Sequence, residues 1–87
     1  KRRPDPTCLP FEPVPCDIFV TEATFGLPVF RHPGTSGEID RLLGRLHENP
    51  DRCILLGAYA LGKAQRLIVE MRGRGHHDAI YLHGAMQ

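Results

Sequence analysis

Residues 53–71 constrain the fold most, because a short apolar run is followed directly by a pattern of helical period. The run over residues 53–57 is typical of a buried strand. From about residues 58–60 onward, apolar side chains recur at helical spacing, which predicts a helix that ends near Arg72. A strand, a tight turn and a helix in this order form one half of a βαβ unit.

The turn in this stretch has the letters of a phosphate-binding loop, Gly57-x-x-x-x-Gly62-Lys63. Such a loop cradles phosphates with backbone N–H groups, which favours interior glycines, and holds magnesium through a Ser or Thr after the lysine. Here the interior contains no glycine, and Ala64 follows the lysine. We therefore favour a structural role, in which Gly62 allows close packing of a helix on a sheet and Lys63 is solvated. A nucleotide-binding module that uses Gly57 to Lys63 is the alternative.

The first 35 residues divide into a connector and a strand with its loop. Five prolines before residue 17 predict an extended connector over residues 1–16, because proline fixes φ and lacks a backbone donor. Residues 17–35 follow as a second unit, in which an apolar, β-branched strand over residues 17–21 runs into a loop that contains Gly and Pro.

Residues 36–87 are predicted to form the main part of an α/β domain. Thr35 and Glu38 fit a capping box before a helix over about residues 36–48. A turn at Gly73-Arg74-Gly75 separates the second helix from a last strand over residues 79–82. Strands that alternate with helices predict an α/β fold made of parallel-sheet βαβ units with flanking helices and right-handed crossovers.

The composition limits the functional classes. A chain of 87 residues makes at most one small domain, and 11 basic against 10 acidic side chains do not demand nucleic acid or a membrane. No apolar run approaches a membrane span and no signal segment is visible, so we expect a cytoplasmic protein. The three cysteines are odd in number, which argues against a complete disulfide framework, and Cys53 is expected to be a buried small residue. Arg66, Arg72 and Arg74 are expected to form a solvated face.

The five histidines do not form a recognisable metal-binding pattern. His76 and His77 are adjacent, so on a strand their side chains would face opposite ways. The other three are isolated in sequence, and no His-x-His or His-x-x-x-His pair exists. Because zinc or manganese needs three or four convergent ligands, no metal site within this chain is expected.

Two motifs and the opening of the chain closely resemble a known nuclease family. The motifs are Val20-Thr-Glu-Ala-Thr-Phe-Gly-Leu-Pro-Val-Phe30 and Gly57-Ala-Tyr-Ala-Leu-Gly-Lys-Ala-Gln-Arg66, and the opening is Lys1-Arg-Arg-Pro-Asp-Pro-Thr7. They resemble metallo-β-lactamase-fold nucleases with a β-CASP domain, in particular the DNA ligase-associated exonucleases, also called mRNA 3′-end processing factors. The resemblance implies that residues 17–35 lie at the junction of the two domains and residues 36–87 begin the β-CASP domain. In that family the second motif opens a helix and binds no nucleotide.

The resemblance also implies what the whole enzyme would do. Its members are hydrolases that use two divalent metal ions, zinc or manganese, to cleave phosphodiester bonds. The metal-binding histidine cluster of the family is missing from this chain, which therefore resembles an internal fragment that is inactive alone. The implied role is a DNA exonuclease in DNA repair, with a DNA ligase and a helicase as candidate partners. An RNA 3′-end processing nuclease of the same superfamily is the alternative.

Three residues are candidates for the site. The resemblance implies that Glu22, the acid of the family's Glu-(Ala/Ser)-Thr-(Phe/Tyr)-Gly motif, orients a downstream histidine near the leaving-group oxygen. The alternative is that Glu22 caps its own turn through backbone N–H groups, and Thr24 is expected to buttress that turn. Lys1 and Arg2 are candidate phosphate contacts, with solvated side chains as the alternative.

Overall fold

A computed structural model describes residues 5–86, which form two α-helices and one short 3-10 helix. Helix α1 spans Thr35–Glu48 and helix α2 spans Lys63–Gly73, and the 3-10 helix spans Gly84–Met86. No strand occurs within residues 5–86. Neither α-helix in this part of the chain is both long and apolar enough to cross a membrane.

Helix α1 confirms the predicted helix over residues 36–48, but its first turn differs from the prediction. The residue at the N-cap is Gly34, and no side chain caps the helix. The predicted capping box is therefore wrong: the Thr35 hydroxyl accepts a hydrogen bond from Arg66 at 2.9 Å, and Glu38 pairs with Arg41 at 3.2 Å. A charged guanidinium thus takes the oxygen that would otherwise cap the helix.

Helix α2 begins at Lys63, later than the predicted start near residues 58–60. Gly62 has φ +82°, a left-handed conformation that a right-handed helix cannot continue through. The predicted turn after the helix is confirmed: Gly75 also has φ +82°, and the N–H of His76 donates to the Met71 carbonyl at 3.2 Å. A glycine in the left-handed region thus bounds the helix on each side.

The hydrophobic core lies between the two helices. Its buried side chains are Ile39, Leu43 and Met71, and partly buried apolar residues pack around them: Leu42, Leu46, Leu67 and Ile80. Six of these seven residues belong to the predicted helical stripes of α1 and α2. Periodic apolar spacing places them on one face of each helix, so the two faces can bury one another.

The predicted α/β fold with a parallel sheet is wrong. The three predicted strands, residues 17–21, 53–57 and 79–82, contain neither strand nor helix, and Cys53 is exposed rather than buried. An apolar, β-branched run favours extended backbone, but a strand also needs a second segment to receive its hydrogen bonds. No sheet surrounds Gly62 either, because a Cβ built on it would meet nothing within 4 Å.

Candidate functional site

The Glu22 turn, defined as residues 22–26, is closed by its own side chains. Oε1 of Glu22 accepts hydrogen bonds from the Thr24 N–H, at 2.5 Å, and from the Thr24 hydroxyl. The Gly26 N–H donates to the Ala23 carbonyl at 2.9 Å. This geometry confirms that Thr24 buttresses the turn. The bond from the Thr24 N–H is also the local capping that was given above as the alternative role of Glu22.

Gly26, the last residue of the Glu22 turn, stands where a side chain would be crowded. A Cβ on Gly26 would lie 3.1 Å from the Ala23 carbonyl oxygen and 3.2 Å from the Ala23 Cβ. The neighbouring Phe25 ring meets Phe30 and His32 edge-on, with ring centroids 5.3 Å and 5.8 Å away. These contacts hold the aromatic residues beside the turn, although Phe25 remains 60% exposed.

The carboxylate of Glu22 keeps one oxygen open. Both hydrogen bonds from Thr24 end on Oε1, and the side chain is exposed. Oε2 takes part in no hydrogen bond or ion pair with any other residue between 5 and 86. A carboxylate has about four lone-pair sites, so Glu22 can accept a further donor from outside the chain while Thr24 holds it.

The end of the Gly57 to Lys63 stretch folds back on itself through short-range hydrogen bonds. At the start of α2, the Lys63 N–H donates to the Leu61 carbonyl at 3.1 Å and the Ala64 N–H to the Tyr59 carbonyl at 3.2 Å. The Lys63 ammonium lies 4.8 Å from the centroid of the Tyr59 ring. The turn thus takes up the Lys63 and Ala64 N–H groups. The favoured structural interpretation is wrong in its details, because no sheet within residues 5–86 packs on Gly62 and Lys63 lies over the Tyr59 ring.

Two arginines of α2 and its turn connect the helices instead of facing solvent. Arg74 donates to Asp40 at 2.7 Å, to Glu70 at 2.8 Å and to Ser36 at 2.9 Å. The hydrogen bonds to Glu70 and then to Asp40 raise the pKa of Arg74 above its ordinary value. Arg66 lies 3.5 Å from the Asp5 carboxylate, which ties the N-terminal connector to α2.

The expected solvated arginine face is therefore wrong. Arg72 is engaged as well, donating to the carbonyls of His76 and Asp78 at 2.7 Å and 2.8 Å. One sequence signal for this network was overlooked: Glu70 stands four residues from both Arg66 and Arg74, a spacing at which helical side chains meet. The two candidate phosphate contacts, Lys1 and Arg2, lie outside the described residues.

The described residues do not fit a site for two divalent metal ions. Between residues 5 and 86, no three side chains of the His, Cys, Asp or Glu type come together in a way that could hold one ion. His47, for example, places Nδ1 2.9 Å from the Leu43 carbonyl of its own helix. The metal ions that the resemblance implies would need ligands from outside this part of the chain.

Comparison of the chain with models of protein families, with curated proteins and with solved structures gave no match. The likeness to β-CASP nucleases thus rests on the motif residues themselves. Of the two motifs, the one that contains the Glu22 turn has the more fully described side-chain contacts.

Proposed function

We propose that this chain is part of a metal-dependent phosphodiesterase that acts on DNA ends, in which Glu22 positions a proton-donating histidine. The supporting observation is the Glu22 turn, where one carboxylate oxygen is held by Thr24 and the other is open. Local capping alone would be served equally well by a shorter Asp or Ser side chain. A longer acidic side chain that is braced at one oxygen is suited to present the other to a partner.

The proposed step is general acid catalysis. A carboxylate that accepts a hydrogen bond from an imidazole N–H favours the charged imidazolium and fixes the ring orientation. The imidazolium then gives its proton to the oxygen that leaves the phosphorus. In this scheme Glu22 is a positioning residue, Thr24 restricts the rotamer of Glu22, and the histidine comes from elsewhere in the enzyme.

The test compares Glu22→Gln with Glu12→Gln in the complete enzyme that contains this chain. Glu12 is another exposed acid that lies outside the turn, so its variant controls for loss of one negative charge. Single-turnover cleavage should fall by about 10²- to 10⁴-fold for Glu22→Gln, while DNA affinity and metal content stay unchanged. Glu12→Gln should cleave at the wild-type rate.

The pH profile separates positioning from a purely structural role. Without the carboxylate the imidazolium loses stabilisation, so its pKa falls and the alkaline limb of the cleavage rate moves to lower pH.

Parallel assays on single-stranded DNA and on RNA of the same sequence decide between the repair and RNA-processing forms of the enzyme. Unchanged cleavage by Glu22→Gln, or a loss that follows lost metal or unfolding, would contradict the proposal.

A further inference from the structure

The chain exposes much more surface than a folded monomer of its mass. Its accessible surface is 8043 Å², whereas a compact 9.7 kDa monomer exposes about 5,100 Å². The excess is about 2,900 Å², and a stable interface needs only about 800 Å² from each partner. The Cα radius of gyration, 16.2 Å, also exceeds the roughly 12 Å of a compact chain of this length. The excess is spread over the chain, where large apolar side chains are exposed from Leu9 to Leu82, so apolar surface is open to a partner.

The interhelical segment, defined as residues 53–62, is the part of this surface most suited to pairing. All ten of its residues are uncharged, and Leu55, Tyr59 and Leu61 are largely exposed. Residues 53–58 neither donate nor accept a backbone–backbone hydrogen bond with another residue of the described range. An extended, apolar, uncharged run with free backbone groups is a template for strand pairing.

The two other apolar extended segments are less suitable for contact between identical copies. Residues 17–21 begin with Asp17 and are followed by Glu22, so pairing with the same segment of a second copy would bring carboxylates together. Residues 79–82 form a shorter run, and Ile80 already packs on the helical core. Like charges and prior burial thus leave the interhelical segment as the favoured surface.

We infer that two copies of this chain associate through antiparallel pairing of their interhelical segments. A two-fold axis at Leu55 places Leu55 opposite its symmetry mate, Ile54 opposite Leu56, and Cys53 opposite Gly57. No charged side chain lies among the paired residues 53–57, and a net charge of +1 gives little repulsion between the copies. The pairing satisfies the free backbone groups along one edge of residues 53–57 and buries leucine side chains that are otherwise in water.

The test is sedimentation equilibrium of the 87-residue chain at about 1 to 100 μM, a range that covers ordinary homodimers. The expected result is a reversible monomer–dimer equilibrium. Leu55→Glu should weaken the dimer by about tenfold or more, because each dimer loses two buried leucines and gains two facing carboxylates. Leu9→Glu is the matched control, since Leu9 and Leu55 are both 91% exposed, and it should leave the dimer unchanged.

A charge-exchange experiment tests the two-fold contact at Leu55 directly. Leu55→Glu and Leu55→Lys should each be weak dimers alone, and an equimolar mixture should associate more tightly than either. Circular dichroism should show the same helix content for all variants. A monomer throughout the concentration range, aggregates that grow without limit, an equal effect of Leu9→Glu, or no gain on mixing would overturn the inference. A monomeric result would assign the surface to a different polypeptide.

Discussion

The helix pair, α1 with α2, and the interhelical segment that joins them are both apolar, yet only the helix pair is packed. The buried residues Ile39, Leu43, Ala64 and Met71 all lie on the helices. Leu55, Tyr59 and Leu61 of the interhelical segment face solvent. The difference teaches that hydrophobicity alone does not decide burial, because the backbone of an element must also find hydrogen-bond partners.

An α-helix satisfies its backbone within one stretch of chain, whereas an extended segment depends on another segment. The 14 residues of α1 and the 11 residues of α2 form their own hydrogen bonds and need only one another for the apolar face. The three extended runs, residues 17–21, 53–57 and 79–82, have no neighbouring strand within residues 5–86, and most of their side chains are exposed. We therefore expect the stability of the chain to reside in the helix pair.

The largest expected effect is from Leu43→Ala, which truncates a side chain that is 8% exposed in the core. Removing a buried leucine costs about 2 to 5 kcal/mol of unfolding free energy, and the core of this chain is small. Leu9→Ala, at a site 91% exposed, should change it by less than about 0.5 kcal/mol. Urea unfolding followed by circular dichroism at 222 nm checks both. Equal effects would mean that the helix pair is not the stable unit.

A smaller loss is expected from Arg74→Gln, which removes the ion pairs to Asp40 and Glu70 that link the two helices. The thermal midpoint should fall, and the difference from wild type should shrink in 1 M salt, where the Debye length is about 3 Å. Arg41→Gln is the control, because the Arg41 pair with Glu38 stays within α1 at its exposed surface. A salt-independent loss would instead indicate that Arg74 acts through packing of its stem.

The same ion pairs should show no pH dependence from Arg74 itself under ordinary conditions. Its pKa is raised in the folded chain, so its contribution is fully present below the unfolded pKa and is lost only as pH rises through the folded pKa. Both values lie far above neutrality, so unfolding curves between about pH 7 and pH 9 should not register its titration. A change in the wild-type minus Arg74→Gln difference across that range would contradict this assignment.

The smallest effects distinguish two glycines by their backbone conformation. Gly62→Ala should destabilise the chain by about 1 kcal/mol, because φ +82° is unfavourable for any residue with a Cβ. Gly44→Ala, within α1 and with open space for a Cβ, should stabilise it by about 0.5 to 1 kcal/mol. Thermal melts of the two variants check the opposite signs. Stabilisation by Gly62→Ala would favour the earlier helix start near residues 58–60.

The local site was partly accessible from the sequence. The spacing of Glu22 and Thr24 predicted a buttressed turn, and the structure places both Thr24 donors on one Glu22 oxygen. Short-range hydrogen bonds of this kind depend only on neighbouring residues. The links from Arg74 to Asp40 and from Arg66 to Asp5 join distant parts of the chain, so no local pattern predicted them.

The sequence by itself determined helix α1, the glycine turn after α2 and the apolar faces that form the core, because periodicity and glycine conformation act within a few residues. The tertiary structure decided three other matters. No sheet forms within residues 5–86, and helix α2 begins at Lys63. The Thr35 hydroxyl accepts a hydrogen bond from Arg66 instead of capping α1. Each depends on which partner a group finds across the chain, or on a backbone angle that a bare glycine leaves undetermined.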